Sequence, residues 1–148
     1  MPEFIHPNLD RRLHGALRGI MSSSSFSKGT ALYREAAEAT GFYLVESGSV
    51  RVLLTDNRCH HVLDTVGAGG ILGLPETVPG GTYRATVEAE EATTAAFVER
   101  NAFLTLLADH PDLCMHVIRM LNENLKGLYQ EFRVAGALPP RRYRRSSL

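Results

Sequence analysis

Apolar positions recur with three different rhythms along the chain, and each change of rhythm marks a change of element. Near the N-terminus Leu9, Leu13, Leu17 and Ile20 return every three or four positions, the spacing of one helix face. Asn8 stands where an N-cap belongs, so a short helix is expected over residues 8–20. Met21 and four serines then break the pattern. From Phe26 to Glu99 the rhythm is short and β-like, interrupted by glycine-bearing turns. Strands are expected over 30–34, 42–46, 49–55, 59–65, 83–89 and 93–98. In 49–55, Val50, Val52 and Leu54 share one face and Arg51 takes the other. Short strands without helical spacers predict an antiparallel sandwich or barrel.

After Glu99 the helical rhythm returns. One helix is expected over 100–108, ended by Asp109-His110-Pro111, and Pro111 suits the first turn of a longer helix reaching about residue 134. Cys114, Ile118, Leu121, Leu125, Leu128 and Phe132 form a heptad stripe on it, as a two-helix seam requires. Leu113, Val117 and Met120 make a second stripe on a neighbouring face. One stripe packs on the sheet and the other is left for a partner, which predicts a homodimer through this helix; the alternative buries both within a monomer.

Composition narrows the class. The 148 residues allow one domain, assigned to 1–136, and at 44% hydrophobic and 22% charged the chain reads as an ordinary globular protein. No apolar run approaches the ~18 residues of a membrane span, and the N-terminus lacks the order of a signal peptide. A cytoplasmic protein with no membrane partner is therefore expected. Net charge is zero, but residues 137–148 form a basic, solvated tail with Arg141, Arg142, Arg144 and Arg145. Without those four the chain has 12 basic against 16 acidic residues, so no general affinity for nucleic acid is expected of the body. The two cysteines, Cys59 and Cys114, are far apart and fit a reducing compartment.

In this order the segments resemble the cyclic-nucleotide-binding domain of the Crp–Fnr regulator family, over about residues 27–132. Gly29-Thr-Ala-Leu-Tyr-Arg-Glu35 is similar to its first strand. Gly41-Phe-Tyr-Leu-Val-Glu-Ser-Gly-Ser-Val-Arg-Val52 is similar to its hallmark hairpin, and Leu63-Asp-Thr-Val-Gly-Ala-Gly-Gly-Ile-Leu-Gly73 to its next glycine-bearing segment. The resemblance implies a double-stranded β-roll (jelly roll) of eight strands, mainly β with flanking helices, and a long C-terminal helix pairing in a homodimer.

The family keeps its phosphate-binding cassette where this chain has Gly73-Leu-Pro-Glu-Thr-Val-Pro-Gly-Gly-Thr-Tyr-Arg-Ala85. Backbone N–H groups at a short helix start suit an anion; the family adds an arginine against the cyclic phosphate and a glutamate against the ribose. Here the glutamate position holds Leu74 and the arginine position Tyr83, with Arg84 next door. Strand alternation turns Arg84 to the other face unless a one-residue bulge restores it. Both side-chain anchors are then lost, which predicts weak cyclic-nucleotide binding and a degenerate cassette. Gly73, Leu74, Pro75, Glu76, Thr82, Tyr83, Arg84 and Ala85 are the expected ligand-lining residues, with Asn124 closing from the helix. Glu76 is the nearest carboxylate that could give specificity. A second departure is Ala36, where the family carries glycine.

Other chemistry is poorly served. Cys59-His60-His61 invites a metal or haem, but alternation sends the two histidines to opposite faces. A cupin-like metal enzyme would need a histidine pair inside the barrel, and no H-x-H occurs. There is no G-x-S-x-G and no P-loop, so no catalytic residue, metal or resident cofactor is expected. Family members that regulate transcription append a helix-turn-helix, for which the residues after 134 are too few; no direct DNA binding by this chain is expected. Two readings remain: a non-enzymatic small-molecule-sensing domain, its effector a cyclic nucleotide or another small molecule, and a ligand-free dimeric interaction module.

Overall fold

The computed structural model describes residues 11–56 and 59–122. It contains two four-stranded antiparallel sheets facing one another, with helices on the outer side of one. The elements run α1 (Arg11–Leu17), β1 (Met21–Phe26), β2 (Ala31–Tyr33), β3 (Gly41–Ser47), β4 (Ser49–Asp56), β5 (Cys59–Gly67) and β6 (Ile71–Leu72). Then come α2 (Leu74–Thr77), β7 (Thr86–Ala89), β8 (Thr93–Glu99) and α3 (Arg100–Asp109). Residues 111–122 form a further helix, α4. One sheet has the order β1-β8-β3-β6, the other β2-β7-β4-β5.

Alternation along the strands explains the layering. In β3, Leu44 faces the helices and Val45 faces the opposite sheet; in β8, Ala96 and Ala95 divide in the same way. The first sheet is therefore covered on both faces at its central strands, β3 and β8. Its inner face meets Val50, Val52, Val66, Val87 and Leu32 of the second sheet. Its outer face meets Leu13 and Leu17 of α1, Phe103 and Leu107 of α3, and Leu113, Val117 and Met120 of α4. Each such burial stabilises by roughly 1.5–3 kcal/mol. Among the described residues no helix is long and apolar enough to cross a membrane.

Several expectations need correction. The serine run is no break: β1 pairs with β8 in unbroken register from Met21↔Val98 to Phe26↔Thr93, its four serines exposed at the sheet edge. β6, only two residues, was not expected. The strand expected over 83–89 begins at Thr86, since Thr82 makes only an isolated bridge to Glu38. In β4, Leu53 is buried and Leu54 half-buried, against the expected Val50–Val52–Leu54 face; the pairing with β5 shifts register between Val52 and Leu53. On α4 the Leu113–Val117–Met120 stripe is the buried one. Of the heptad stripe, Cys114 and Leu121 are half-buried and Ile118 is 51% exposed. Asn124, Leu125, Leu128 and Phe132, the helix beyond residue 122 and the basic tail lie outside the described residues.

Candidate functional site

The cassette is built around a sharp entry into α2. Gly73 has φ 89°, a left-handed backbone that a side chain resists. A Cβ there would also stand 3.0 Å from Tyr83 Cε1 and 3.3 Å from Tyr33 Cε2. Pro75 sits in the first turn, where its missing N–H costs nothing. Leu74 is buried, and its side chain packs in the core beneath the helices. The position resembling the family's glutamate is thus a packing residue.

Thr77 closes the single turn. Its hydroxyl lies 2.7 Å from Gly73 O and 2.8 Å from Gly41 O, and it has one proton to give. The Tyr83 hydroxyl donates to the same Gly41 carbonyl. Gly41 itself admits no side chain, because a Cβ would meet Phe97 Cζ at 2.3 Å and Val98 O at 2.4 Å. Tyr83 is 5% exposed, and its ring stacks on Tyr33 with centroids 3.7 Å apart and planes 13° from parallel. Its backbone is fixed too: Tyr83 N–H donates to Ala37 O, and Tyr83 O accepts from Ala36 N–H. Burial raises the Tyr83 phenol above its ordinary value.

Arg84 turns the other way. Its guanidinium is 52% exposed and lies 3.5 Å from Glu76 Oε2, the same oxygen that accepts from Arg84 N–H at 3.2 Å. Glu76, whose side chain is 12% exposed, is therefore held against the loop, not pointing freely to solvent. Its charge reaches Tyr33. Burial pushes the Tyr33 phenol well above the usual range, Glu76 and Tyr83 push further, and Arg84 opposes them more weakly than Glu76. Thr82 is exposed, and Pro75 and Ala85 are half-buried.

Three participants were not read from the sequence. Gly41 was seen as the opening of a hairpin, yet two side-chain hydroxyls, of Thr77 and Tyr83, lie within hydrogen-bond distance of its carbonyl. Thr77 lies inside the loop as an unremarked polar residue. Arg100, the first residue of α3, donates from Nε to Thr77 O at 2.8 Å and from Nη2 to Val78 O at 3.2 Å. It satisfies carbonyls that the end of a helix leaves open. An arginine following a strand has no local signature for that role. Elsewhere, His60 Nδ1 pairs with Thr55 Oγ1 across the β4–β5 hairpin at 3.2 Å. Among the described residues no three His, Cys, Asp or Glu side chains gather as metal ligands would.

Comparison with known proteins places this geometry. A Thermus thermophilus catabolite activator protein superposes with a TM-score of 0.75 at 21% identity, covering 86% of this chain and 60% of that one. A cyclic nucleotide-binding domain from Methylobacillus flagellatus KT gives 0.71 at 25% identity, covering 83% and 71%. A fungal protein named lysophospholipase nte1, from Aspergillus terreus, is 28% identical over 104 residues, 69% of this chain. The chain spans only 7% of the length of that curated relative. The family model described as "Cyclic nucleotide-binding domain" matches residues 23–110, the stretch that carries both sheets and the Gly73–Ala85 loop. That match covers more than half of the chain, and the protein belongs to the cyclic nucleotide-binding domain family.

Proposed function

We propose that this domain is a non-enzymatic regulatory sensor whose cassette has exchanged cyclic-phosphate recognition for internal contacts, and that it works as a homodimer through α4. One observation carries the reading: the tyrosine at the position resembling the phosphate-binding arginine is buried, stacked on Tyr33 and bonded to Gly41 O. The neighbouring cation, Arg84, is exposed and already faces a carboxylate. A cyclic nucleotide would meet neither a free arginine nor, at Leu74, an acceptor for its ribose hydroxyl. The homodimer is supported by Met115 and Ile118 of α4, each 51% exposed.

The Tyr83–Tyr33 stack also favours a second reading, a ligand-free interaction module in which side chains occupy the space a ligand would need. Isothermal titration with cyclic AMP and cyclic GMP, with Arg84→Ala and Tyr83→Ala alongside, tests the first reading. No micromolar binding by the parent chain is expected. Micromolar binding that disappears in Arg84→Ala would show a working phosphate cradle and overturn it. For the dimer, Ile118→Glu is expected to shift sedimentation equilibrium toward monomer, because an unpaired charge at an apolar interface is costly. An unchanged mass would remove α4 as the interface.

A further inference from the structure

The edges of the two sheets are where this fold leaves backbone hydrogen bonds unmade. Among the described residues the edge strands are β1 and β6 in one sheet and β2 and β5 in the other. Three of them are blunted. β6 has two residues, and β2 has three with a register shift between Ala31 and Tyr33. β5 is long, but it carries Asp64 and pairs with β4 across a register shift. β1 has none of these protections. Its six residues run against β8 in unbroken register, with no charge, proline or bulge among them. In an antiparallel ladder alternate residues turn their N–H and C=O groups away from the partner strand. On β1 those outward groups make no backbone hydrogen bond to any described residue.

The charges beside this edge are of one sign. Arg18 precedes β1 and Lys28 follows it; both are exposed, and no ion pair joins either to a described residue. No acid stands between residues 18 and 28. A second copy paired antiparallel on β1 would bring Arg18 of one chain toward Lys28 of the other at both ends, and like charges facing across strands destabilise. The four exposed serines offer no pocket for a large side chain. A partner is therefore held by its main chain and selected by what it presents to the two cations.

We propose that β1 is a docking edge for an acidic, extended peptide segment of another protein, which adds as a further strand beside β1 with its carboxylates toward Arg18 and Lys28. This contact uses neither the Gly73–Ala85 loop nor α4, so it stands independently of the preceding reading.

The full chain, isotope-labelled, is titrated with three synthetic peptides and followed through its backbone amide resonances. The first is acetyl-EETVTVTVEE-amide, and the second replaces its glutamates by lysines. The third keeps the glutamates and carries two adjacent prolines at its centre, which removes a ladder donor from either edge. The acid-ended peptide is expected to shift the Ser22–Ser25 amides and slow their exchange, and to bind about tenfold more tightly than the lysine-ended one. Added salt narrows that gap, and the prolines abolish binding. Arg18→Glu combined with Lys28→Glu, its fold checked by an unchanged melting curve, inverts the order of the two charged peptides. The proposal is overturned by Ser22–Ser25 amides that respond to no peptide, by equal binding of the acid- and lysine-ended peptides, or by an unchanged order in the folded charge-reversed variant. Binding that survives the prolines would remove the added strand and leave a purely electrostatic contact. Concentration-dependent protection of the same amides in the chain alone would replace the peptide by a second copy.

Discussion

Ala36 is the non-glycine residue among the described ones that takes a positive φ, 73°. It does so where the sequence departs from the family's glycine, and its N–H is held by Tyr83 O at 2.8 Å. The turn that carries Tyr83 inward is therefore made with a residue poorly suited to it. A left-handed residue with a Cβ costs about 1–2 kcal/mol, while glycine adds about 0.4–1 kcal/mol of chain entropy to the unfolded state. Ala36→Gly is accordingly expected to stabilise the domain by up to about 1 kcal/mol, read as a higher urea midpoint at unchanged slope. A lower midpoint would mean that the Cβ makes a contact worth more than the strain. Tyr83 and Arg84 teach the complementary point: adjacent residues diverge because one is fixed on both backbone sides and stacked, while the other is half exposed and faces the Glu76 carboxylate.

At the scale of elements, α2 is too short to be stable alone. One turn, Leu74–Thr77, is held from three directions: Leu74 into the core, Thr77 toward Gly41, and Arg100 of α3 onto its last carbonyls. Glu99 in turn caps α3 by accepting from the Asn101 and Ala102 N–H groups. Arg100 therefore links the cassette to the start of the helical layer. Replacing it by alanine removes two charge-assisted donors, and a loss of about 1.5–3 kcal/mol is expected. The local effect identifies the mechanism: the Gly80 and Gly81 amides, bonded to Thr77 O and Glu76 O, are expected to exchange faster than amides of the β4–β7 ladder. A uniform acceleration across both would instead mean that Arg100 supports the whole domain and not the loop.

For the whole molecule, the aromatic cluster sets a limit at alkaline pH. Burial raises the Tyr33, Tyr43 and Tyr83 phenols above their ordinary value near 10. The folded state then keeps protons that the unfolded chain gives up above that pH. Their contribution is fully present below about pH 10 and is lost as pH rises from there toward the folded-state values. Stability is expected to fall by up to about 1.4 kcal/mol per pH unit for each of these groups. Urea unfolding at pH 9 and pH 11 checks this, and Tyr33→Phe should flatten the difference. An undiminished slope in that variant would assign the alkaline loss elsewhere.

The order and type of most elements were legible in the sequence, because helices repeat their apolar positions with their own period and strands stand out as short β-rich runs between glycine-bearing turns. That held for β3, β4, β5, β8, α3 and the buried Leu113–Val117–Met120 stripe, and the same segments carried the family resemblance. The serine edge strand β1 was not legible, since nothing in Ser22–Ser25 is apolar and its strand form comes from pairing with a partner some seventy residues away. Nor were the roles of Gly41, Thr77 and Arg100, which meet only when β3, α2 and α3 converge. The sequence by itself determined that the glutamate and arginine positions of the cassette hold leucine and tyrosine. Only the tertiary structure decided that Leu74 joins the core, that Tyr83 is buried and stacked on Tyr33, and that Arg84 turns to Glu76. Such choices depend on which surfaces distant segments bring within a few ångströms, and no local period encodes them.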